Sequence, residues 1–421
     1  MTSKSAKKVV LAYSGGLDTS VIVPWLQQNY GCEVICFTAN IGQGEHEFEG
    51  LEAKALASGA SKLIVKDLRS EFVEGYLWPL VKSGAIYEGQ YLLGTAIARP
   101  LIAKAQAEAA IAEGADALAH GCTGKGNDQV RFELTYKAVA PWLSVIAPWR
   151  EWGILSREDA LAYAKEQGIP TMELPRFSFS RDRNLWHMSH EGGPLENPGL
   201  PADESIFQWT VQPEKAPDKP EELKIDFKNG VPVGLNGKEM KPLELVETLN
   251  EIGGRHGIGR VDMVENRLVG VKSRGIYETP GGTIIMAAHR ELESICLDRD
   301  TLHYKQQVAL RFAELVYFGK WFTPLRKGLQ SFIDHSQQPL SGWVKLKLFK
   351  GGVTVQGRQS QQSLYREDLA TFGQDDVYDQ SEAEGFINLF GLQMKVQAMM
   401  EADSEVVDSV SAPELDEIQR D

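Results

Sequence analysis

Residues 8–21 constrain the chain more than any other stretch. Val9, Val10 and Leu11 form a short apolar run of the kind shown by a strand buried on both faces. Ser14-Gly15-Gly16 interrupts it. Val21, Ile22, Trp25 and Leu26 then recur at helical spacing, with Asp18, Thr19 or Ser20 available as N-cap. The unit reads strand, glycine-rich turn, helix. Such a turn converges backbone N–H groups and the positive end of a helix dipole on one point, which suits a phosphate. The glycines permit close approach, and the hydroxyls of Ser14, Thr19 and Ser20 add donors. Asp18 serves an anion site poorly by itself; its charge is explained if it caps helix amides or meets a phosphate-bound Mg²⁺. Pro24 lies beyond the first helical turn and predicts a kink or a late helix start.

Further strands are expected at 33–40, 62–65, 115–119 and 143–147, alternating with helices at 45–58, around Phe72, Tyr76 and Leu80, and at 94–113. This rhythm predicts crossover connections and a doubly wound parallel sheet, an α/β domain over 1–170. Ser156 with Glu158 and Asp159 starts its last helix, and Gly168 and Pro170 end it. The texture then changes. Asn229-Gly230 between two apolar runs is a strong hairpin signal, 261–272 and 344–348 alternate like strands, and helices are expected at 243–252, 283–296 and 306–318. This predicts an α+β domain over 171–380. Residues 381–400 carry Phe386, Ile387, Leu389, Phe390, Leu392, Met394, Val396 and Met399 at helical spacing, an apolar face for a neighbouring subunit or for the chain's own domain. The acidic 401–421 tail is expected to be disordered.

Composition narrows the function. A net charge of −14 argues against a surface built for nucleic-acid backbones, and no apolar run is long enough for a membrane span. The four cysteines (Cys32, Cys36, Cys122, Cys296) form no C-x-x-C pair and no zinc set, and no signal-peptide core precedes the first strand. These features suggest reduced thiols and a cytoplasmic enzyme.

A second cluster, residues 120–132, follows the strand ending at Ala119 and opens a helix. Gly121, Gly124 and Gly126 allow backbone contact, while Thr123, Asn127, Asp128 and Arg131 supply donors, a carboxylate and a fixed guanidinium. Ligands of open α/β sheets bind outside the carboxyl ends of the strands, so this loop and residues 12–20 are expected to face one crevice. Nearby residues invite other readings. His187 and His190 lack a third ligand and read as polar loop histidines, and Cys122 reads as a partly buried thiol with no assignable partner base. No metal site is expected.

The complete Ser-Gly-Gly-Leu-Asp-Thr-Ser behind an apolar strand resembles the pyrophosphate loop of the ATP pyrophosphatase superfamily; the Walker pattern is absent. Ala-Tyr-Ser-Gly-Gly-Leu-Asp-Thr-Ser (12–20), Ala-Asn-Ile-Gly-Gln (39–43), Tyr-Leu-Leu-Gly-Thr (91–95), Gly-Lys-Gly-Asn-Asp-Gln-Val-Arg-Phe (124–132), Val-Glu-Asn-Arg (264–267) and Ser-Arg-Gly-Ile-Tyr-Glu-Thr-Pro (273–280) together resemble argininosuccinate synthases, from about residue 9 to about 394. The resemblance implies joining of L-citrulline and L-aspartate at the expense of ATP, with AMP and pyrophosphate released through a citrullyl-adenylate. It implies ATP at Ala12, Tyr13, Ser14, Gly15, Gly16, Leu17, Asp18, Thr19, Ser20, Ala39 and Gly121. It implies citrulline at Tyr91, Ala96, Asn127, Arg131, Ser180, Ser189, Glu265 and Tyr277, and aspartate at Thr123, Asn127 and Asp128. Relatives often carry serine where this chain has Ala96, which places that contact in question. Mg²⁺ with the nucleotide, a synthetase role for 171–380 and a homotetramer whose C-terminal helices cross between subunits are also implied. No general base is assigned, because activation, alignment and charge stabilisation account for the chemistry. The competing readings are another ligase of the superfamily, acting on tRNA or ammonia, and a nucleotide-binding protein without chemistry.

Overall fold

The computed structural model describes residues 6–124, 126–154, 156–169, 179–371, 373, 377 and 379–410. Lys125 of the second cluster and 411–421 of the expected tail lie outside these. Two compact units are present, Met1–Leu364 and Tyr365–Asp421.

The first unit is built on β1 (Lys8–Ala12), β2 (Glu33–Asn40), β3 (Lys62–Asp67), β4 (Ala117–Ala119) and β5 (Ser144–Ile146). They form a parallel sheet of order β3-β2-β1-β4-β5. Val9, Val10 and Leu11 are wholly buried at its centre, as their uninterrupted apolarity requires. Strand order departs in opposite directions from β1, towards β2 on one side and β4 on the other. The loops after β1 and β4 therefore open onto one crevice, the usual place for a ligand in such a sheet.

The helix after the glycine loop differs from expectation in two ways. Its N-cap is Gly16, and no side chain caps it. Asp18, Thr19 and Ser20 lie inside the first turn, where the Thr19 and Ser20 hydroxyls donate back to the Gly16 carbonyl. The helix starts at Leu17 and runs through Pro24 to Tyr30, so no late start occurs. The helix expected over 45–58 is broken, with a 3₁₀ turn Glu45–Phe48 and a helix Leu51–Ala57 on either side of Glu49 and Gly50.

Two antiparallel sheets complete the unit. One joins β6 (Ser180–Arg183), β7 (Met188–Glu191), β11 (Arg260–Asn266) and β12 (Lys272–Glu278) in the order β11-β12-β7-β6. Its register sets Tyr277 opposite Ser189 and Ser189 opposite Asp182. The other joins β8 (Glu221–Lys228), β9 (Val231–Leu235), β10 (Lys238–Glu239), β13 (Gly342–Phe349) and β14 (Gly352–Ser360). Its β8–β9 turn is the expected Asn229-Gly230, with both φ angles positive as a type I′ turn demands. One apolar cluster runs from Val10 and Ile35 through Ile97 and Tyr277 to Leu223 and Val344, so parallel and antiparallel parts share a core.

In the second unit, helices Glu382–Phe390 and Leu392–Val410 carry the anticipated apolar residues, and Phe386, Leu389, Phe390 and Met394 are exposed. The helix continues ten residues into the segment read as disordered from its acidity. Val406, Val407 and Val410 recur there at helical spacing, a signal the composition masked.

Candidate active site

The loop after β1 is fixed by its own hydroxyls. Ser14 Oγ accepts from the Gly16 amide (3.3 Å) and lies 3.2 Å from Thr19 Oγ1. Ser20 Oγ donates to the Gly16 carbonyl (2.8 Å) and meets the Tyr13 hydroxyl (3.1 Å). Thr38 ties the strand end down by donating to the Tyr13 carbonyl (2.6 Å). Gly15 has φ +75°, and a Cβ there would stand 2.4 Å from Leu51 Cδ1. The backbone conformation therefore favours glycine, and any side chain there would also have to displace Leu51. Lys54 Nζ donates to the Gly15 carbonyl, bringing a cation to the loop from the helix Leu51–Ala57. With no side-chain cap hydrogen bond at Gly16, the positive end of the following helix's dipole is directed at an anion held by the loop.

This loop forms one wall of a cleft of about 630 Å³. Ala12, Tyr13, Ser14, Thr19, Ala39 and Gly121 line it on the side implied for the nucleotide. Tyr91, Asn127, Arg131, Ser180, Ser189, Glu265 and Tyr277 line it on the side implied for citrulline, with Thr123 and Asp128 between. Gly15, Gly16, Leu17, Asp18 and Ser20 support the loop without lining the cleft. Ala96 is wholly buried in the core and does not line it either. On the helix Gly94–Ala112 the cleft-facing positions are Thr95, Arg99 and Ile102, one helical stripe that leaves Ala96 to the side.

The polar floor is interlocked. Asp128 Oδ1 accepts from Arg131 Nη1 (2.9 Å) and its Oδ2 from Arg99 Nε (2.8 Å), while Arg99 Nη2 reaches Asp182 (2.6 Å). Burial opposes the charge on Asp128, but the two guanidinium groups outweigh it and hold the carboxyl below the usual range. The same pairing keeps Arg99 and Arg131 charged despite their burial. Glu265 behaves oppositely. Burial pushes its carboxyl up against the opposing influence of the Tyr317 hydroxyl, its Oε1 accepts a long hydrogen bond from Tyr277 (3.3 Å), and its buried Oε2 makes no well-formed hydrogen bond to the protein. An orphaned buried acceptor in a cleft is costly unless a ligand supplies the donor, and the N–H groups of an amino acid substrate fit that need. Glu191, also pushed up by burial, is paired with Arg267.

The two histidines read as polar loop residues are instead fully buried. His187 lies within hydrogen-bond reach of Thr95 Oγ1 (2.9 Å) and stacks on Tyr277, and burial pulls its pKa down to about 4. His190 meets Glu278 (2.8 Å), which also accepts from the Gln208, Trp209 and Thr210 amides. Among the described residues no group of three or more His, Cys, Asp or Glu side chains could hold a metal. Cys122 lies beside the cleft as expected, its thiol pushed well up, chiefly by burial and then by Asp128. Arg99 and Asp182 were not singled out in the sequence. Arg99 was legible in principle, eight residues past Tyr91 and four past Thr95 on one helical stripe; Asp182 had no local signal.

Two family descriptions match the chain: the arginosuccinate synthase N-terminal HUP domain over residues 8–170 and the arginosuccinate synthase C-terminal domain over 179–397. The chain belongs to the argininosuccinate synthase family. It is 61% identical over 403 residues to the argininosuccinate synthase of Roseiflexus sp., covering 96% of this chain and 99% of the relative. It is 63% identical over 394 residues to that of Desulforamulus reducens, covering 94% and 98%. Over 394 residues it is 58% identical to the chloroplastic enzyme of Arabidopsis thaliana, covering 94% of this chain and 80% of the relative. The enzyme thus ligates L-citrulline and L-aspartate to argininosuccinate through a citrullyl-adenylate, releasing AMP and pyrophosphate, in arginine biosynthesis.

Proposed function

We propose that the two sides of this cleft divide the reaction between them. Ala12 to Ser20, Ala39 and Gly121 bind ATP, with the loop amides on the β- and γ-phosphates. Tyr91, Asn127, Arg131, Ser180, Ser189, Glu265 and Tyr277 bind citrulline, and Thr123, Asn127 and Asp128 bind aspartate. The observation that carries this reading is the opening of the glycine loop and of the Asn127-Asp128-Arg131 helix start onto one cleft. Ala96 contributes no side-chain contact.

The ureido oxygen of citrulline attacks the α-phosphorus, and the electron pair of the breaking P–O bond leaves with pyrophosphate. Loop amides and Lys54 offset the charge gathering on that leaving group, a contribution of a few kcal/mol per well-placed donor (roughly 3). The amine of aspartate then attacks the activated carbon and expels AMP. Asp128, its charge fixed by Arg99 and Arg131, orients that amine. A Mg²⁺ bound to the triphosphate would supply charge neutralisation. Asp18, the acidic side chain of the loop, is the residue that would help to hold it beside the phosphate oxygens.

In this reading residues 1–170 are the nucleotide domain and 171–380 the synthetase domain. The 381–400 face joins protomers of a cytoplasmic homotetramer, and the acidic 401–421 segment follows it. The exposed Phe386, Leu389, Phe390 and Met394 support the assembly role. Exchange of labelled pyrophosphate into ATP tests the assignment. It should depend on citrulline and not on aspartate; ADP as product, or exchange indifferent to citrulline, would overturn it.

A further inference from the structure

Tyr317 is the last residue of the helix Arg299–Tyr317, nearly two hundred positions from the Asn127–Arg131 segment, and is wholly buried beneath the citrulline side of the cleft. It touches the site only through other side chains. Its hydroxyl accepts from Asn127 Nδ2 (2.8 Å), while Asn127 Oδ1 accepts from the Leu268 amide (2.8 Å), so both ends of that amide group are pinned. Its carbonyl accepts from Arg131 Nε (2.9 Å), and its ring lies 4.8 Å beneath the guanidinium. On its other face Tyr87 stacks at 3.7 Å, and Tyr91 meets it edge-on at 6.2 Å. The turn that follows is shaped for this contact. Gly319 has φ +70°, and a Cβ there would stand 2.7 Å from Arg131 Cα.

We infer that Tyr317 is the positioning residue of the citrulline site, one phenol from the second half of the chain that sets the orientation of Asn127 and Arg131 from the first. The inference rests on the proposed assignment of those two residues to citrulline and deepens it. No atom of Tyr317 needs to meet substrate. Its contribution is pre-organisation: a planar amide and a planar guanidinium are held before citrulline arrives, so binding does not have to freeze them. The Glu265 carboxylate is also within the phenol's influence, the hydroxyl favouring its ionised form. Arg131, Arg267 and Glu191 are the other charged groups that act on Glu265.

The test is Tyr317→Phe in the full-length enzyme, which keeps ring and packing and deletes the hydroxyl. In citrulline-dependent pyrophosphate exchange the citrulline KM should rise roughly tenfold, the effect of about one hydrogen bond, while the ATP KM stays within about twofold. The acid limb of kcat/KM for citrulline should also move to higher pH, because Glu265 loses a group that favours its charge; a purely structural role would leave that limb in place. Arg131→Lys, measured alongside, separates the two levels of the argument. A raised citrulline KM in Arg131→Lys with none in Tyr317→Phe removes Tyr317 and leaves the site assignment standing. No change in either variant removes the assignment and the inference with it. Equal rises for ATP and citrulline in Tyr317→Phe would mark general loosening and overturn positioning. If Tyr317→Phe fails to fold, Gly319→Ala, which crowds the same contact, must show the same selective rise or the inference falls.

Discussion

The glycine loop of residues 12–20 and the polar floor proposed for citrulline meet in one cleft but are held by different means. The loop is nine consecutive residues, and its shape is dictated within those residues: a positive φ at Gly15, and hydroxyls of Ser14, Thr19 and Ser20 bonded to the loop's own backbone. The floor draws Tyr91, Asn127, Arg131, Ser189, Glu265 and Tyr277 from distant segments and is held by side chains that cross between them. A local site owes its geometry to backbone conformation, and a composite one owes it to partners. Damage to the first should strike the chemical step, and damage to the second should strike substrate affinity.

The sharpest attempt to break that contrast is Gly15→Ala. The added methyl meets Leu51 and the φ is unfavourable, so citrulline-dependent pyrophosphate exchange should fall by about 10²–10³, the scale of losing preorganised donors. A loss confined to the ATP KM would deny the loop its role in the chemistry. Next in size is Asp128→Asn, which deprives Arg99 and Arg131 of their shared anion. Argininosuccinate formation should drop roughly 10- to 100-fold with the aspartate KM raised, as expected for leaving the buried Arg131 without its carboxylate while Arg99 keeps Asp182. Pyrophosphate exchange, which needs no aspartate, should fall less.

Two buried histidines flank the cleft, and these should behave alike. His120, beside the second loop, and His187, behind the floor, are both pulled from 6.5 to about 4, chiefly by burial. The unfolded chain takes up these protons first as pH falls, so the stabilisation is full above about 6.5 and is lost on the way to about 4. At pH 5 each should cost on the order of 2 kcal/mol, measurable by urea unfolding, and His187→Asn should remove about half of the combined loss. A pH-independent unfolding free energy between 7 and 5 would contradict their burial as neutral groups. The smallest effect is expected at Ala96. Its side chain faces the core, so Ala96→Ser should change the citrulline KM by less than about twofold, a difference too small to reflect a gained substrate hydrogen bond.

The same contrast explains what was legible beforehand. Val9 to Leu11 and the turn after them announced a central parallel strand and a phosphate loop, because backbone periodicity and glycine placement are local signals. The Asn229-Gly230 hairpin was readable for the same reason. Glu265 and Tyr277 were named only through resemblance, since nothing within 260–278 marks which members of an alternating strand turn towards a distant helix. His187 and His190 were misjudged because burial depends on what packs above a loop: here Tyr91 and Tyr277 beside one, and Glu278 beside the other. Capping was misassigned at the first helix because three capping-type side chains stood in a row, and the hydroxyls of Thr19 and Ser20 were already committed to shaping the turn.

Cys122 lines the cleft, yet burial and the neighbouring Asp128 keep its sulfur protonated. Cys36 is pushed up to about 12, and Cys32 and Cys296 are raised as well. Electrophiles and peroxides attack the anionic form of sulfur, so this ligase carries a thiol in its working cleft without becoming a sensor of oxidants, and its turnover should be indifferent to iodoacetamide at neutral pH.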